Sequence, residues 1–225
     1  MSLLQAQQYQ MTNMEAISAN TRATLLLCGR FGDRNSEVRP LNQSEFHELN
    51  SALKMNRLTP INILGMSATE LSKLGINHGI SVKRLHTLIS RESELKQAIS
   101  VWGEAGIWVI SEHDKQYPRR LHQHLTSARP PLLFGAGVMN NLDMGGVCIV
   151  GSRASREPGL RFSSSLGRRC ALEGLTVISN DMRGVDREAV SAAIEASGKA
   201  IMVLADRLEK VVKAKRYREA LSEKK

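Results

Sequence analysis

Two patterns of hydrophobic positions divide this chain of 225 residues. Up to about residue 100, apolar residues recur at helical spacing, whereas later short apolar runs alternate with helix-period segments. These runs lie at 107–110, 147–150, 175–178 and 200–204. Strands that alternate with helices are typical of a parallel sheet in an α/β fold. We therefore predict a disordered tail over 1–14, an α-helical module over 15–100 and a Rossmann-like α/β domain over 101–225.

The first module is predicted to consist of short helices. Apolar spacing predicts a helix over 16–28, and Ser44 is a candidate N-cap of the next one. Ser67 and Glu70 have the spacing of a capping box, ahead of two short helices placed around 75–79. This pair resembles a helix-hairpin-helix or SAM-like module. Because few basic residues lie nearby, we expect a packing role for it rather than DNA binding.

The turn after the run 147–150 has the composition of an anion-binding site. This run leads directly into Gly151, Ser152 and Arg153, and a helix-period segment follows. Glycine at the end of a buried parallel strand lets the backbone approach a phosphate, and the first N–H groups of the next helix point at it. Arg153 adds a forked, permanently charged donor. We therefore predict that this turn binds phosphate.

The same strand-turn-helix unit recurs at intervals of about 25 residues, the spacing of a crossover series. Arg183 and Gly184 follow the run 175–178, and Asp206 follows the run 200–204. Right-handed crossovers bring such turns to one carboxyl edge of the sheet, where open α/β sheets bind ligands. We therefore expect these residues to cluster with the first turn. A helix face of small residues is predicted between the last two runs, from Ala189, Ala192, Ala193 and Ala196.

Five ordered sequence blocks resemble the DprA/Smf family of DNA-processing proteins. They cover about 100 residues from Trp108 onward, and five motifs in order are far more specific than one glycine turn. The blocks are Tyr117-Pro118 with Leu121, Pro130-Pro131 with Leu133-Phe134, Ile149 to Arg153, Ser179 with Arg183 to Asp186, and Val203 to Ala205.

The resemblance implies a protein of natural transformation that binds and protects single-stranded DNA and helps to load a RecA-type recombinase. We expect a homodimer with no catalytic residues, no cofactor and no metal. Because the family domain continues beyond the segment matching 210–221, we expect its C-terminal part to be absent from this sequence. The phosphate contacts are assigned to Gly151, Ser152, Arg153, Ser179, Arg183 and Gly184, with accessory basic contacts from Arg156, Arg161 and Arg187.

The second turn departs from the family pattern. Asn180, Asp181 and Met182 stand where the family has glycine and then small residues, and Val190 replaces the usual histidine. Asparagine tolerates a positive φ better than most residues, so it can preserve the turn. A carboxylate and a long side chain at the next two positions are expected to repel or crowd a phosphate.

The basic excess lies in the second part of the chain. Residues 1–110 contain 11 Lys+Arg against 9 Asp+Glu, and residues 111–225 contain 20 against 13. The second part therefore contributes +7 of the net charge of +9. Such a distribution favours a polyanionic partner, although a basic surface also serves solubility.

Cysteine and hydropathy patterns predict a soluble, cytoplasmic protein. Cys148 in a strand and Cys170 on the following helix are expected to be buried reduced thiols. No apolar run approaches the roughly 18 residues of a membrane span, and no signal peptide pattern precedes the first helix. His113, His122 and His124 lack the spacing of metal ligands, so we expect them at the surface.

A catalytic function has little support in the sequence, which contains no nucleophile elbow, Walker lysine or zinc signature. The alternative is a nucleotide-binding or nucleotide-processing Rossmann-like enzyme that uses Asp186 and Asp206 as a carboxylate pair. Asp186 is more simply predicted to cap a helix that begins near Arg187. A shortened family copy with reduced activity is a further alternative.

Overall fold

The computed structural model describes residues 17–31, 38–76, 80–180, 182–205 and 208–222. Contacts divide the chain into two compact units, Met1–Phe134 and Gly135–Lys225. The first unit contains helices and the second contains a parallel sheet with helices. The chain thus has an α/β fold in which a helical module precedes a Rossmann-like sheet, as the sequence predicted. The boundary between the two units follows Phe134 and is therefore later than the predicted boundary at residue 100. The domain ranges expected from the sequence remain predictions.

Side-chain caps begin most helices of the first unit. Ser67 and Glu70 form the predicted capping box. The prediction for Ser44 was wrong, because Asn42 is the N-cap of its helix and forms a capping box with Glu45. The helices are α1 (Ala19–Cys28), α2 (Gln43–Met55), α3 (Ala68–Lys73), α4 (Val82–Ile89) and α5 (Glu92–Glu104), with a 3-10 turn over Pro60–Gly65.

Glu45 joins α2 to α4. Its carboxylate accepts hydrogen bonds from the Asn42 N–H at 2.7 Å and from the two terminal nitrogens of Arg84 at 2.8 and 2.9 Å. These bonds, led by those from Arg84, lower the pKa of Glu45 to about 2. Leucines of α2, of α4 and of α3 with its C-cap share one core, which includes Leu49, Leu71, Leu74, Leu85 and Leu88.

A two-stranded sheet follows these helices in sequence. Strand β1 (Ile107–Ser111) pairs with β2 (Leu132–Ala136), and the short helix α6 (Arg119–His124) and a 3-10 turn (Thr126–Ala128) lie between them. Val109 of β1 packs in one cluster with side chains of α1 and α5, namely Leu25, Leu26, Leu95 and Ile99. This packing explains why β1 belongs with the helices in the contact division.

A buried polar cluster follows β1. The Glu112 carboxylate accepts a hydrogen bond from Asn50 Nδ2 at 2.6 Å and one from Arg129 Nε at 2.5 Å. The pairing with Arg129 offsets part of the cost of burying both charges. The adjacent His113 was predicted to lie at the surface, and that prediction was wrong. Its side chain is 15% exposed, and desolvation lowers its pKa.

The second unit is a parallel βαβαβ unit with two further helices. Strands β3 (Val147–Cys148), β4 (Val177–Ser179) and β5 (Ala200–Met202) lie in that order, with Val147, Val177 and Ala200 in register. Helix α7 (Glu157–Leu172) connects β3 to β4, and α8 (Val185–Glu195) connects β4 to β5. A 3-10 turn (Met139–Asp143) precedes β3, and α9 (Leu208–Lys213) and α10 (Lys215–Ser222) follow β5.

Small residues let α7 and α8 pack closely. A Cβ atom at Gly167 of α7 would lie 2.2 Å from the carbonyl oxygen of Ala189 of α8, so only glycine fits. Ala189, Ala192 and Ala193 are buried, which confirms the predicted small-residue face, whereas Ala196 is half-buried at the C-cap of α8. The core that these helices share with the sheet includes Ile149, Cys170, Val177, Val190 and Tyr217.

The two cysteines of the sheet region differ in exposure. Cys170 is buried in the helix core, as predicted, whereas Cys148 is exposed and that prediction was wrong. Side chains alternate across a strand, so Cys148 and Val150 lie on the face opposite to the buried Ile149. Val150 is accordingly 66% exposed.

Candidate functional site

The first predicted turn lies between β3 and α7 and is exposed to solvent. Gly151, Ser152 and Arg153 are all exposed, as is Arg156, the N-cap residue of α7. The Ser152 hydroxyl oxygen accepts a hydrogen bond from the backbone N–H of Ala154 at 3.1 Å. This bond holds the turn in shape and leaves the hydroxyl proton available for donation to a ligand.

The second turn, between β4 and α8, is held by Asn180. The side-chain oxygen of Asn180 accepts a hydrogen bond from the N–H of Met182 at 2.7 Å, which is an Asx turn. The backbone at Asn180 does not adopt a positive φ, so its side chain rather than a glycine-like backbone makes the turn. Arg183 is exposed, and Gly184 ends the turn at a φ of 99°. Asp181 lies outside the described residues.

The two turns touch at the carboxyl edge of the sheet. The N–H of Val185 donates to the carbonyl oxygen of Ser152 at 3.3 Å. A Cβ atom at Gly184 would lie 2.3 Å from that same oxygen and 2.9 Å from Cα of Arg153, and one at Gly151 would lie 2.7 Å from Val185. The approach therefore requires glycine on both sides. The structure brings the predicted turns together as expected, whereas Asp206 of the third turn lies outside the described residues.

Asp186 links the two turns by a hydrogen bond and is not the N-cap of a helix. The predicted cap was wrong, because α8 begins at Val185 with Gly184 as N-cap and Asp186 lies in its first turn. The side chain is 4% exposed, and its Oδ1 accepts a hydrogen bond from the Gly151 N–H at 2.8 Å. A carboxylate at this position is also stabilised by the helix dipole. The N–H of Gly151 is thus occupied by the Asp186 carboxylate and is not available to a ligand phosphate.

Ser179 serves the sheet rather than the exposed surface. It is 4% exposed, and its hydroxyl donates to the carbonyl oxygen of Ile149 at 2.5 Å, which links β4 to the end of β3. Sequence patterns cannot distinguish such a hydroxyl from one that binds a ligand, because both follow a buried strand.

The basic side chains at this edge differ in their surroundings. Arg153, Arg156 and Arg183 are exposed, and none of them has an ion-pair partner within the described parts of the chain. Arg161 pairs with Glu157 at 3.2 Å on the surface of α7, where both side chains are 68% exposed. Arg187 is half-buried in the first turn of α8. The site therefore presents at least three cations to solvent beside the Ser152 hydroxyl.

Other kinds of site are not formed by the residues that the structure describes. Among them no three His, Cys, Asp or Glu side chains are grouped so that they could hold a metal ion. Asp186 is buried and hydrogen-bonded, so the only described member of the predicted carboxylate pair is engaged within the fold. In the same described ranges, no helix has the length and apolar character needed to span a membrane.

Comparison with known proteins places the chain in a family. The sequence profile of the family described as "DNA recombination-mediator protein A" matches residues 108–224, just over half of the chain. The chain belongs to this family. The matched segment contains both turns and all three strands of the parallel sheet.

The chain is also similar to two individual proteins. The chain is similar to Protein Smf of Synechocystis sp., with 25% identity over 142 residues that cover 60% of this chain and 35% of the relative. The X-ray structure of DNA processing protein A (DprA) from Streptococcus pneumoniae matches with a TM-score of 0.52 and 19% identity. That match covers 81% of this chain and 64% of the solved chain, and it shows a shared fold. The chain thus spans less than two thirds of either relative.

Proposed function

We propose that this recombination-mediator family member binds single-stranded DNA through the joined turns at the carboxyl edge of its parallel sheet. It then helps to load a RecA-type recombinase during natural transformation, acting as a cytoplasmic homodimer. The observation that carries the DNA-binding part is the contact between the turns. Because Val185 N–H bonds to the Ser152 carbonyl, Arg153 and Arg183 belong to one continuous exposed surface.

Side chains rather than backbone amides make the phosphate contacts in this proposal. The Gly151 N–H is occupied by Asp186, so its role is to allow the close approach of Val185. The Ser152 hydroxyl donates to one phosphate, and Arg153 pairs with the same group. Arg183 on the adjoining turn pairs with a neighbouring phosphate. Forked guanidinium groups suit this task because they donate two parallel hydrogen bonds to phosphate oxygens.

The supporting residues have narrower roles. Arg156 is exposed at the start of α7 and adds positive charge beside the first turn. Arg161 and Arg187 contribute long-range attraction, since each already has an interaction within the protein. Ser179 contributes by holding the ends of β3 and β4 together. Sequence-independent binding is expected, because contacts to phosphates fix position without reading bases.

Titration of a fluorescein-labelled oligothymidine, followed by fluorescence anisotropy, tests the proposal. Arg153→Ala and Arg183→Ala should each weaken binding by about 1–3 kcal/mol, or roughly 5- to 150-fold, because each removes a charge-assisted contact. Lys199→Ala is the matched control, since this exposed cation precedes β5 at the opposite edge of the sheet. Loss of affinity in Lys199→Ala equal to that in Arg153→Ala would show that the turns are not the site.

Salt dependence separates this proposal from the enzyme alternative. Each neutralised phosphate of a single strand should contribute a slope of about −0.7 to the logarithm of affinity against the logarithm of salt. The two arginines therefore predict a slope of about −1.4 or steeper for the wild type. In Arg153→Ala the slope should be shallower by about 0.7. A flat dependence would exclude phosphate contacts, and tighter binding of a mononucleotide than of the oligonucleotide would favour a nucleotide-processing enzyme.

A further inference from the structure

One aromatic ring of the second unit is exposed beside the proposed DNA site. The sequence 135–225 contains two aromatic residues, Phe162 and Tyr217. Tyr217 is 2% exposed within the core, whereas Phe162 is 70% exposed on α7. The ring of Phe162 therefore contributes little to folding and is accessible to a ligand.

The position of Phe162 along α7 brings its ring towards the first turn. It lies six residues after Arg156, which corresponds to about 9 Å along a helix axis. Side chains on a helix lean towards its N-terminus, so the ring of Phe162 extends back in the direction of the turn at Ser152 and Arg153. Strands and crossover helices run in opposite directions in a parallel sheet, so this end of α7 lies at the carboxyl edge.

The neighbours of Phe162 on the helix surface leave its ring uncovered. The positions three and four residues before it are Gly159 and Pro158, and those three and four residues after it are Ser165 and Leu166. The first three are too short to cover an aromatic face, and Leu166 is half-buried against the core of the sheet. The ring stays 70% exposed, so a planar group can approach it.

The charge around the ring selects the kind of planar group. Arg161 is adjacent in sequence and exposed, and Arg156 begins the same helix. Arg161 pairs with Glu157, whereas Arg156 has no ion-pair partner among the described residues. An exposed aromatic ring on a helix that begins at such an arginine matches the surfaces that bind single-stranded nucleic acids, in which bases stack on rings while cations contact the backbone. Duplex DNA does not fit equally well, because its bases are already stacked on each other.

We propose that Phe162 is a stacking platform for one nucleobase of a single strand whose phosphates contact the turns at Arg153 and Arg183. This inference rests on the proposed DNA-binding function and adds a base-contacting residue to it. Stacking is tolerant of sequence because every base has a π-face, so Phe162 adds affinity and preference for single strands without specificity.

Substitution of Phe162 with a matched control tests this role. Phe162→Ala should weaken oligothymidine binding by about 5- to 150-fold, the range for loss of one stacked base, whereas Phe162→Tyr should remain within about twofold of the wild type. Leu172→Ala is the control, because Leu172 is 74% exposed at the other end of α7. Alanine is the best helix former, so these exposed substitutions preserve the fold.

An abasic oligonucleotide of equal length distinguishes stacking from phosphate contacts. Phe162→Ala should bind it as the wild type does, because the strand has no base to stack, whereas Arg153→Ala should bind it more weakly. If Arg153→Ala weakens oligothymidine binding and Phe162→Ala does not, the stacking role is wrong and the proposed function stands. If the wild type does not bind oligothymidine at low salt, the proposed function itself fails.

Sedimentation velocity at the titration concentrations tests the competing occupant of this surface. Phe162→Ala and the wild type should have the same sedimentation coefficient without DNA. Dissociation of a wild-type dimer by Phe162→Ala would assign the ring to a contact between two copies of the chain and overturn its assignment to a base.

Discussion

The most informative single perturbation is the removal of the Asp186 carboxylate, which joins the two turns. Its Oδ1 accepts the Gly151 N–H at 2.8 Å in a position that is 4% exposed. A hydrogen bond to a charged group contributes about 1.5–3 kcal/mol, and an acidic charge in the first turn of a helix about 0.3–1 kcal/mol. Asp186→Ala loses both contributions and leaves the Gly151 N–H unpaired. We therefore expect the free energy of unfolding to fall by about 3 kcal/mol.

The companion variant Asp186→Asn separates the hydrogen bond from the charge. Asparagine keeps an oxygen that can accept the Gly151 N–H but loses the interaction of a charge with the helix dipole, so we expect a cost of about 1 kcal/mol. Urea unfolding followed by circular dichroism at 222 nm gives the free energies, compared at equal m-values. Tryptophan fluorescence reports the first unit separately, because Trp102 and Trp108 both lie there.

The effect on DNA binding follows from the same geometry. Asp186→Ala should also weaken oligothymidine binding, because the turn at Arg153 is no longer held against the turn at Arg183. Two results on stability would refute this reasoning. One is a decrease in the free energy of unfolding below about 0.5 kcal/mol for Asp186→Ala, which is within the range of ordinary surface substitutions. The other is an equal decrease for Asp186→Ala and Asp186→Asn.

Three further predictions concern stability. Gly184→Ala should lower the free energy of unfolding by about 2 kcal/mol or more, because alanine resists the φ of 99° and its Cβ would contact the Ser152 carbonyl oxygen. The same change should weaken DNA binding. An unchanged melting temperature would contradict this prediction. The pKa of Glu45 in the folded protein is about 2, below its ordinary value of 4.5. The contribution of the ionised Glu45 to the stability of the fold should therefore be complete above pH 4.5 and lost as the pH falls towards 2. Denaturation curves at several pH values measure this effect. Glu45→Gln should lack the part of the pH dependence that comes from this carboxylate. Arg129→Ala should cost about 3–5 kcal/mol by leaving the Glu112 carboxylate buried and unpaired, and thermal unfolding with Arg120→Ala as an exposed control measures it.

Local patterns in the sequence determined the elements and their order. Apolar runs predicted the three strands of the parallel sheet, and their spacing predicted the crossover helices that the structure contains. Gly151 and Gly184 were identifiable because a turn after a buried strand limits the residue that fits. These features depend on a few consecutive residues, so periodicity and turn chemistry suffice to predict them.

Charge along the sequence was a less direct guide than the turns. The boundary at residue 110 assigned +7 to the second part, whereas residues 135–225 contain 16 Lys+Arg against 11 Asp+Glu, a net +5. The difference comes from the segment 111–134, which includes the buried Arg129. A net charge therefore depends on where a boundary is drawn, and only exposure shows which cations can meet a ligand.

Only the tertiary structure decided what individual polar residues do. The carboxylates of Glu112 and Asp186 find their partners 17 and 35 residues away, and the Ser179 hydroxyl bonds 30 residues back. In sequence, Asp186 and Ser179 fit a catalytic or ligand-binding role as well as the structural roles that they have. The same holds for Phe162, since the sequence does not show which side of α7 faces solvent. Partner choice for a polar atom depends on packing between distant segments, which local patterns do not encode.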